Sequence, residues 1–197
     1  MTVRSSGMEQ QQQQSHAMPK MGWGTFAAMI AVSTVIMFGL MYLNTYQMDH
    51  VFFSQTRMWM ALYMGAAMAA IMLAFMWKMY PGQGAKIAVM IGSAAAFAIG
   101  LGLVRSQATV GDEAWMKAMI PHHSIAVLTS SRAHIKDPRV RELADGIIEA
   151  QIREIEEMKL LLRDMEAHGS RGTGADLPAR PTTLTPQMAA EAQGKIR

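Results

Sequence analysis

The chain has no cysteine. That absence excludes disulfides, zinc-finger spacings, cysteine-ligated iron-sulfur clusters and the C-x-x-C-H attachment of c-type haem. Charge is missing in blocks: residues 22–43, 58–77 and 87–104 contain no Asp, Glu, Lys or Arg. The same blocks contain no histidine, which removes the usual axial ligand for haem within them. A net charge of +3 without any continuous basic run argues against nucleic acid as a partner. A soft-metal site here has only Met and His to draw on. The 21 methionines supply thioethers that need no deprotonation and form no disulfides in an oxidising compartment. The bland alternative is that Met fills irregular or membrane-embedded cores.

Residues 1–20, with a Gln run at 10–14 and Met8, His16 and Met18 around it, show no periodicity and are expected to be a disordered leader. Met21 follows directly. At ~1.5 Å per residue the three charge-free blocks approach the ~30 Å of a bilayer core, so residues 21–105 are expected to form a three-span transmembrane domain. Trp59 and Trp77 stand near the ends of the second block as interfacial anchors. Gly92, Ala96 and Gly100 recur every fourth position in the third and suit close helix approach. Arg4, Lys20, Lys78 and Lys86 outnumber Arg57 and Arg105 in the flanks, which puts the N-terminus in the cytoplasm and the C-terminal residues outside.

Residues 106–169 read as a helical hairpin. Thr109 and Asp112 fit a capping box that opens a helix over about 110–134. Asp137 as N-cap and Pro138 in the first turn launch a second helix that runs to His168 and stops at Gly169. Its stripe is Val140, Ala144, Ile147, Gln151, Ile155, Met158, Leu162 and Met165. Only residues 135–137 join the two helices, so they return antiparallel and bring Gln151 and Met158 toward the first. Residues 170–197 are expected to be a flexible tail with at most a short terminal helix.

Within the hairpin the stretch W-M-K-A-M-I-P-H-H-S, residues 115–124, breaks local rules. A mid-helix proline, Pro121, removes a backbone hydrogen bond at a cost of roughly 3 kcal/mol. Met116, Met119 and His123 fall at i, i+3 and i+7 on one face. Two thioethers and an imidazole suit copper, Cu(I) above all and Cu(II) as well, better than magnesium or calcium. In the second span, Met60, Met64, Met68, Met72 and Met76 repeat every fourth residue as a slowly winding ribbon. Asp49 and His50, in the loop before it, could admit metal from the outer side to such a relay; packing by polarizable side chains is the competing reading.

The segments M-K-A-M-I-P-H-H-S-I-A (116–126), D-P-R-V-R-E-L-A (137–144) and Q-I-R-E-I-E-E-M (151–158) resemble the bacterial domain-of-unknown-function family 305, over about residues 107–168. M-Y-L-N-T-Y-Q-M-D-H-V-F-F-S (41–54) and M-G-A-A-M (64–68) are similar to the membrane portion of its multi-span members. The resemblance implies a ferritin-like helical fold in the bacterial envelope and an association with copper. Its motif positions fall on Met116 or Met119, His122, His123, Gln151, Glu154 and Met158. Neither soluble helix has the Glu-x-x-His pair of di-iron ferritin-like enzymes, which speaks against an oxidase.

The expected protein is therefore all-α: a three-transmembrane-helix bundle followed by a ferritin-like antiparallel two-helix hairpin, completed to a four-helix bundle if dimeric. It would be a membrane-anchored copper-binding protein, not an enzyme, in the bacterial inner (cell) membrane, with its hairpin in the periplasm or outside the cell. His122 and His123 would be imidazole ligands and Met116, Met119 and Met158 thioether ligands, with Gln151 and Glu154 orienting them. Membrane lipid, a second copy and a copper donor or acceptor protein are the expected partners. A two-helix hairpin alone lacks a sufficient core, which motivates the oligomer. The alternative function is a metal-free membrane assembly or interaction module.

Overall fold

The computed structural model describes residues 22–172 and 174–194. The expectations for the Gln run, Met8, His16, Met18 and Met21 lie outside the described residues. Among the described residues the secondary structure is helical throughout, with no strand. The elements are α1 (Trp23–Leu40), a 3-10 turn (Met48–His50), α2 (Gln55–Phe75), α3 (Gln83–Ser106), α4 (Asp112–Arg132), α5 (Pro138–His168) and α6 (Pro186–Gly194). By length and composition α1, α2 and α3 could each cross a membrane. The described chain divides into two compact units, residues 22–41 with 56–109 and residues 42–55 with 110–194. The sequence division near residue 105 is close to the last of these boundaries, between residues 109 and 110. The loop 42–55, however, belongs with the C-terminal helices and not with the apolar helices that flank it.

In the first unit, α2 carries the close-packing face. Ala61, Gly65, Ala69 and Leu73 are buried at four-residue spacing. A Cβ on Gly65 would collide with Thr34 of α1, so the small residue sets that approach. This corrects the sequence reading, which placed the small-residue stripe on α3. There only Gly100 is tight, its hypothetical Cβ lying 3.2 Å from the Trp59 carbonyl oxygen and from the Tyr63 amide nitrogen. Gly92 faces open space, and Ser93 is the buried residue beside it. Met60, Met64, Met68, Met72 and Met76 run one position before the small-residue stripe and are all half-buried. At one end Phe26, Ala69, Leu73 and Tyr80 form a core, with the Trp23 and Tyr80 ring centroids 5.0 Å apart. Lys86 sits 5.1 Å from the Trp77 ring centroid, within cation–π range. Arg57 donates from Nη1 to the Met41 carbonyl oxygen at 2.8 Å, satisfying one of the carbonyls left open beyond the C-terminus of α1.

In the second unit, α4 starts at Asp112 with Gly111 as its N-cap and no side-chain cap. The expected capping box is therefore not formed: Thr109 Oγ1 instead accepts the Trp59 indole N–H at 3.1 Å. The helix continues through a fully buried Pro121 to Arg132. Asp137 caps α5 by accepting the Arg139 amide at 2.9 Å, and Gly169, at φ 77°, ends it by donating to the Met165 carbonyl oxygen at 2.8 Å. A 31-residue α5 outruns a 21-residue α4. The core is Met116, Ile120, Val127, Ile155 and Met158, with Phe52, Met119, Leu162 and Met165 packed on it. The inward line of α5 is Arg141, Ala144, Ile148, Gln151, Ile155, Met158, Leu162 and Met165, alternating three- and four-residue steps. Val140 and Ile147 of the expected stripe are exposed instead. A seven-residue repeat places 141 and 148 on the seam, one position past the residues that hydrophobicity alone selects.

Candidate functional site

The helix pair brings five of the expected residues to the seam between α4 and α5. Met116 and Met158 are buried in the α4–α5 core, Met119 packs on its edge, and His123 meets Glu154 across the seam. His123 Nδ1 lies 3.2 Å from Glu154 Oε2, yet the approach is too oblique for a hydrogen bond. The nitrogen is buried with no hydrogen-bond partner. A buried polar atom in this state calls for an explanation, because leaving it unsatisfied costs about 1–3 kcal/mol. The His123 side chain is 13% exposed. Burial holds its imidazole below the ordinary histidine value, Glu154 pulls the other way, and His122 adds to the depression. The neutral ring that results is the form that binds metal.

His122 is exposed, its ring centroid 6.1 Å from that of His123 and tilted by 59°. Neighbouring helix positions diverge by about 100°, so the two imidazoles do not share one face. Gln151 is half-buried on the inward line of α5. Among the described residues no three His, Cys, Asp or Glu side chains come together, so a metal held here would depend on thioethers.

The loop 42–55 supplies contacts that the sequence reading missed. His50 is buried, with Nδ1 2.9 Å from Ser124 Oγ. Ser124 Oγ also accepts the Tyr46 amide at 2.7 Å, and Ser124 is 0% exposed. Asp49 Oδ2 receives Lys159 Nζ of α5 at 2.7 Å, and this bond lowers the pKa of its carboxyl. Burial and then the Lys159 charge lower the pKa of His50, while Asp49 and Glu156 oppose them. The structure thus places Asp49 and His50 against α4 and α5. A serine, a histidine and an aspartate stand in sequence here, but the hydroxyl is sealed from any substrate and Asp49 Oδ1 is 3.8 Å from His50 Nε2. The signal for this contact was Ser124 itself, a polar residue one turn after Ile120 on the buried face.

Among the described residues this unit carries depressions at its helix faces. One, of about 630 Å³, is lined by Asp49, Phe52, Lys117, Glu156, Lys159 and Arg163, among others. Its cations are already paired, Lys159 with Asp49, Lys117 with Glu113 and Arg163 with Glu156. Another, of about 370 Å³, reaches Met116 and Met165.

The chain is 43% identical over 61 residues to an uncharacterized protein of Acanthamoeba polyphaga mimivirus, a match covering 30% of this chain. It spans 40% of the length of that curated relative. No solved structure matches the chain. Residues 105–195, which include both helices of the site and α6, match the family described as Domain of unknown function (DUF305), the family that the M-K-A-M-I-P-H-H-S-I-A segment resembles.

Proposed function

We propose that this protein is a membrane-anchored copper-binding protein of the bacterial envelope, serving sequestration, chaperoning or resistance. The observation that carries the reading is His123 Nδ1: a buried, neutral imidazole nitrogen without a hydrogen bond, beside the Glu154 carboxylate and on the α4 face that bears Met116 and Met119. This donor set fits Cu(I). His123, Met119 and Met158 would hold the ion, Met116, two turns of α4 away, would be a further thioether donor on the same face, exposed His122 would serve at the rim, and Glu154 with Gln151 would orient the donors. A donor or acceptor protein would exchange copper with this unit.

The helices α1, α2 and α3 act as transmembrane spans in this reading. Contact of the loop 42–55 with α4 supports it, because two crossings, α2 and α3, return the chain to the same side of a membrane. The excess of Arg4, Lys20, Lys78 and Lys86 over Arg57 and Arg105 favours an assignment of that side to the outside of the cytoplasm. Because the chain has no cysteine, single cysteines introduced for Thr45 and His134 report topology directly. Both should react with a membrane-impermeant maleimide on intact cells, and protection of either refutes the orientation. Self-association through exposed Val140, Leu143 and Ile147 of α5 belongs to the same reading. A monomer in detergent at micromolar concentration, by light scattering, would refute that part.

The copper test is titration of the full chain with Cu(I), Cu(II) and Zn(II). Tight Cu(I) binding that is lost in His123→Ala supports the reading; indifference to all three metals overturns it. The alternative, a metal-free assembly module, draws on the burial of Met116 and Met158 among Ile120, Val127 and Ile155, where Met packs as an ordinary apolar residue. Met158→Leu separates the two, since it keeps the packing and removes the donor.

A further inference from the structure

The groove of about 370 Å³ lies between the first turns of α4 and the last turns of α5. Asp112, Trp115 and Leu161 wall it, and the Met116 and Met165 side chains reach it from the core. Trp115 and Leu161 are about half exposed, whereas Met116 is 5% exposed. Met116 belongs to the buried cluster that contains Met158, and Met165 packs against that cluster, so the methionine-containing core between the two helices reaches the surface here. Met165 lies outside the motif segments that carry the family resemblance.

The electrostatics suit a cation. Among the described residues no Lys, Arg or His lines the groove, and Asp112 is part of its lining. Met165 is in the last turn of α5, where the helix dipole presents its negative end. The positive end of α4 is close by, and Asp112 and Glu113 in its first turn oppose it. An indole in the wall adds attraction for a bound cation. Apart from that one carboxylate the lining offers little to a hard divalent ion, whereas two thioethers suit a soft monovalent one.

We propose that Met116 and Met165 form the port at which Cu(I) is captured, from which it passes by thioether exchange to Met158, Met119 and His123. Exchange between thioethers releases no proton and changes no oxidation state. This inference rests on the copper reading above and adds to it a capture site two turns of α4 away from His123.

The test uses the full chain in detergent, titrated with Cu(I) against a chromophoric Cu(I) chelator while tryptophan emission is followed. Expected are saturable quenching that disappears in Trp115→Phe, and a loss of about tenfold or more in affinity in Met165→Leu, equal to about 1.4 kcal/mol. Met165→Leu conserves volume, so its helical content and melting temperature should match the parent. Met165→Cys should restore capture through a soft sulfur donor, which a purely packing role would not. His123→Ala should weaken overall binding but keep the Trp115 quenching. Wild-type affinity and quenching in Met165→Leu would overturn the port, while copper binding that still depends on His123 would leave the functional reading standing. Absence of Cu(I) uptake by the parent chain would overturn both.

Discussion

His50 Nδ1 and Ser124 Oγ lie 2.9 Å apart although 74 residues separate them in the chain. Through this pair and the Tyr46 amide, a loop between two apolar helices becomes part of the C-terminal unit. Removing the hydroxyl with Ser124→Ala leaves a part-buried amide and a buried imidazole without their shared partner. The expected loss is about 1–3 kcal/mol, read as a lower melting temperature of the full chain and faster amide exchange at Tyr46. Ser124→Thr, which keeps the oxygen but adds a methyl in a fully buried position, should cost stability while retaining slow exchange at Tyr46. Unchanged exchange at Tyr46 in Ser124→Ala would show that the loop is held by other contacts.

The same contact sets a pH dependence. His50 has its folded pKa depressed below the unfolded value of about 6.5, chiefly by burial and then by Lys159, against the opposing pull of Asp49 and Glu156. The unfolded chain therefore binds more protons as pH falls below about 6.5, so stability is complete above that value and declines through the depressed folded pKa. Burial depresses His123 in the same direction. The melting temperature should fall on acidification from about pH 7.5 to about pH 5.5, and His50→Asn, which can reach Ser124 but cannot titrate, should flatten part of that slope. A slope identical in His50→Asn would assign the whole effect to other groups.

The exposed Asp49 makes its bond to Lys159 a weaker tie than its 2.7 Å length suggests. Solvent screening limits such pairs to about 0–1 kcal/mol. A double-mutant cycle on Asp49→Asn and Lys159→Met should give a coupling in that range that shrinks with added salt. A larger, salt-independent coupling would show that the pair is shielded from solvent.

Much of this architecture is legible in residue order, where local chemistry decides it. Asp137 and Pro138 start α5, Gly169 stops it, and the charge-free blocks become α1, α2 and α3, each shifted by a few residues at its ends. Pairing of Met116, Met158, His123 and Glu154 follows from a short connection and two helical periods. What local pattern does not carry is choice among equivalents. The stripe of small residues on α3 contributes close packing only at Gly100, while Ala61, Gly65 and Ala69 of α2 are buried together, because close approach depends on which face meets a neighbour such as Thr34. His122 and His123 are adjacent in sequence and diverge in space. The loop 42–55 is non-local altogether: nothing near Tyr46 or His50 names Ser124 as the partner.

The glycines of α3 give the sharpest comparison between pattern and packing. Gly92 and Gly100 stand two four-residue steps apart and look equivalent in sequence. A Cβ at Gly100 would meet the Trp59 carbonyl oxygen and the Tyr63 amide nitrogen at 3.2 Å, both backbone atoms of α2 that cannot turn aside. At Gly92 it would meet nothing within 4 Å. Gly100→Ala should push α3 from α2 and cost about 1–3 kcal/mol, the usual range for overpacking. Gly92→Ala should be neutral or slightly stabilising, since alanine is the better helix former by about 1 kcal/mol. Thermal denaturation of both variants in the same detergent checks the contrast. Equal melting temperatures for the two, or a larger loss at Gly92, would mean that α3 does not approach α2 along the Trp59–Tyr63 segment.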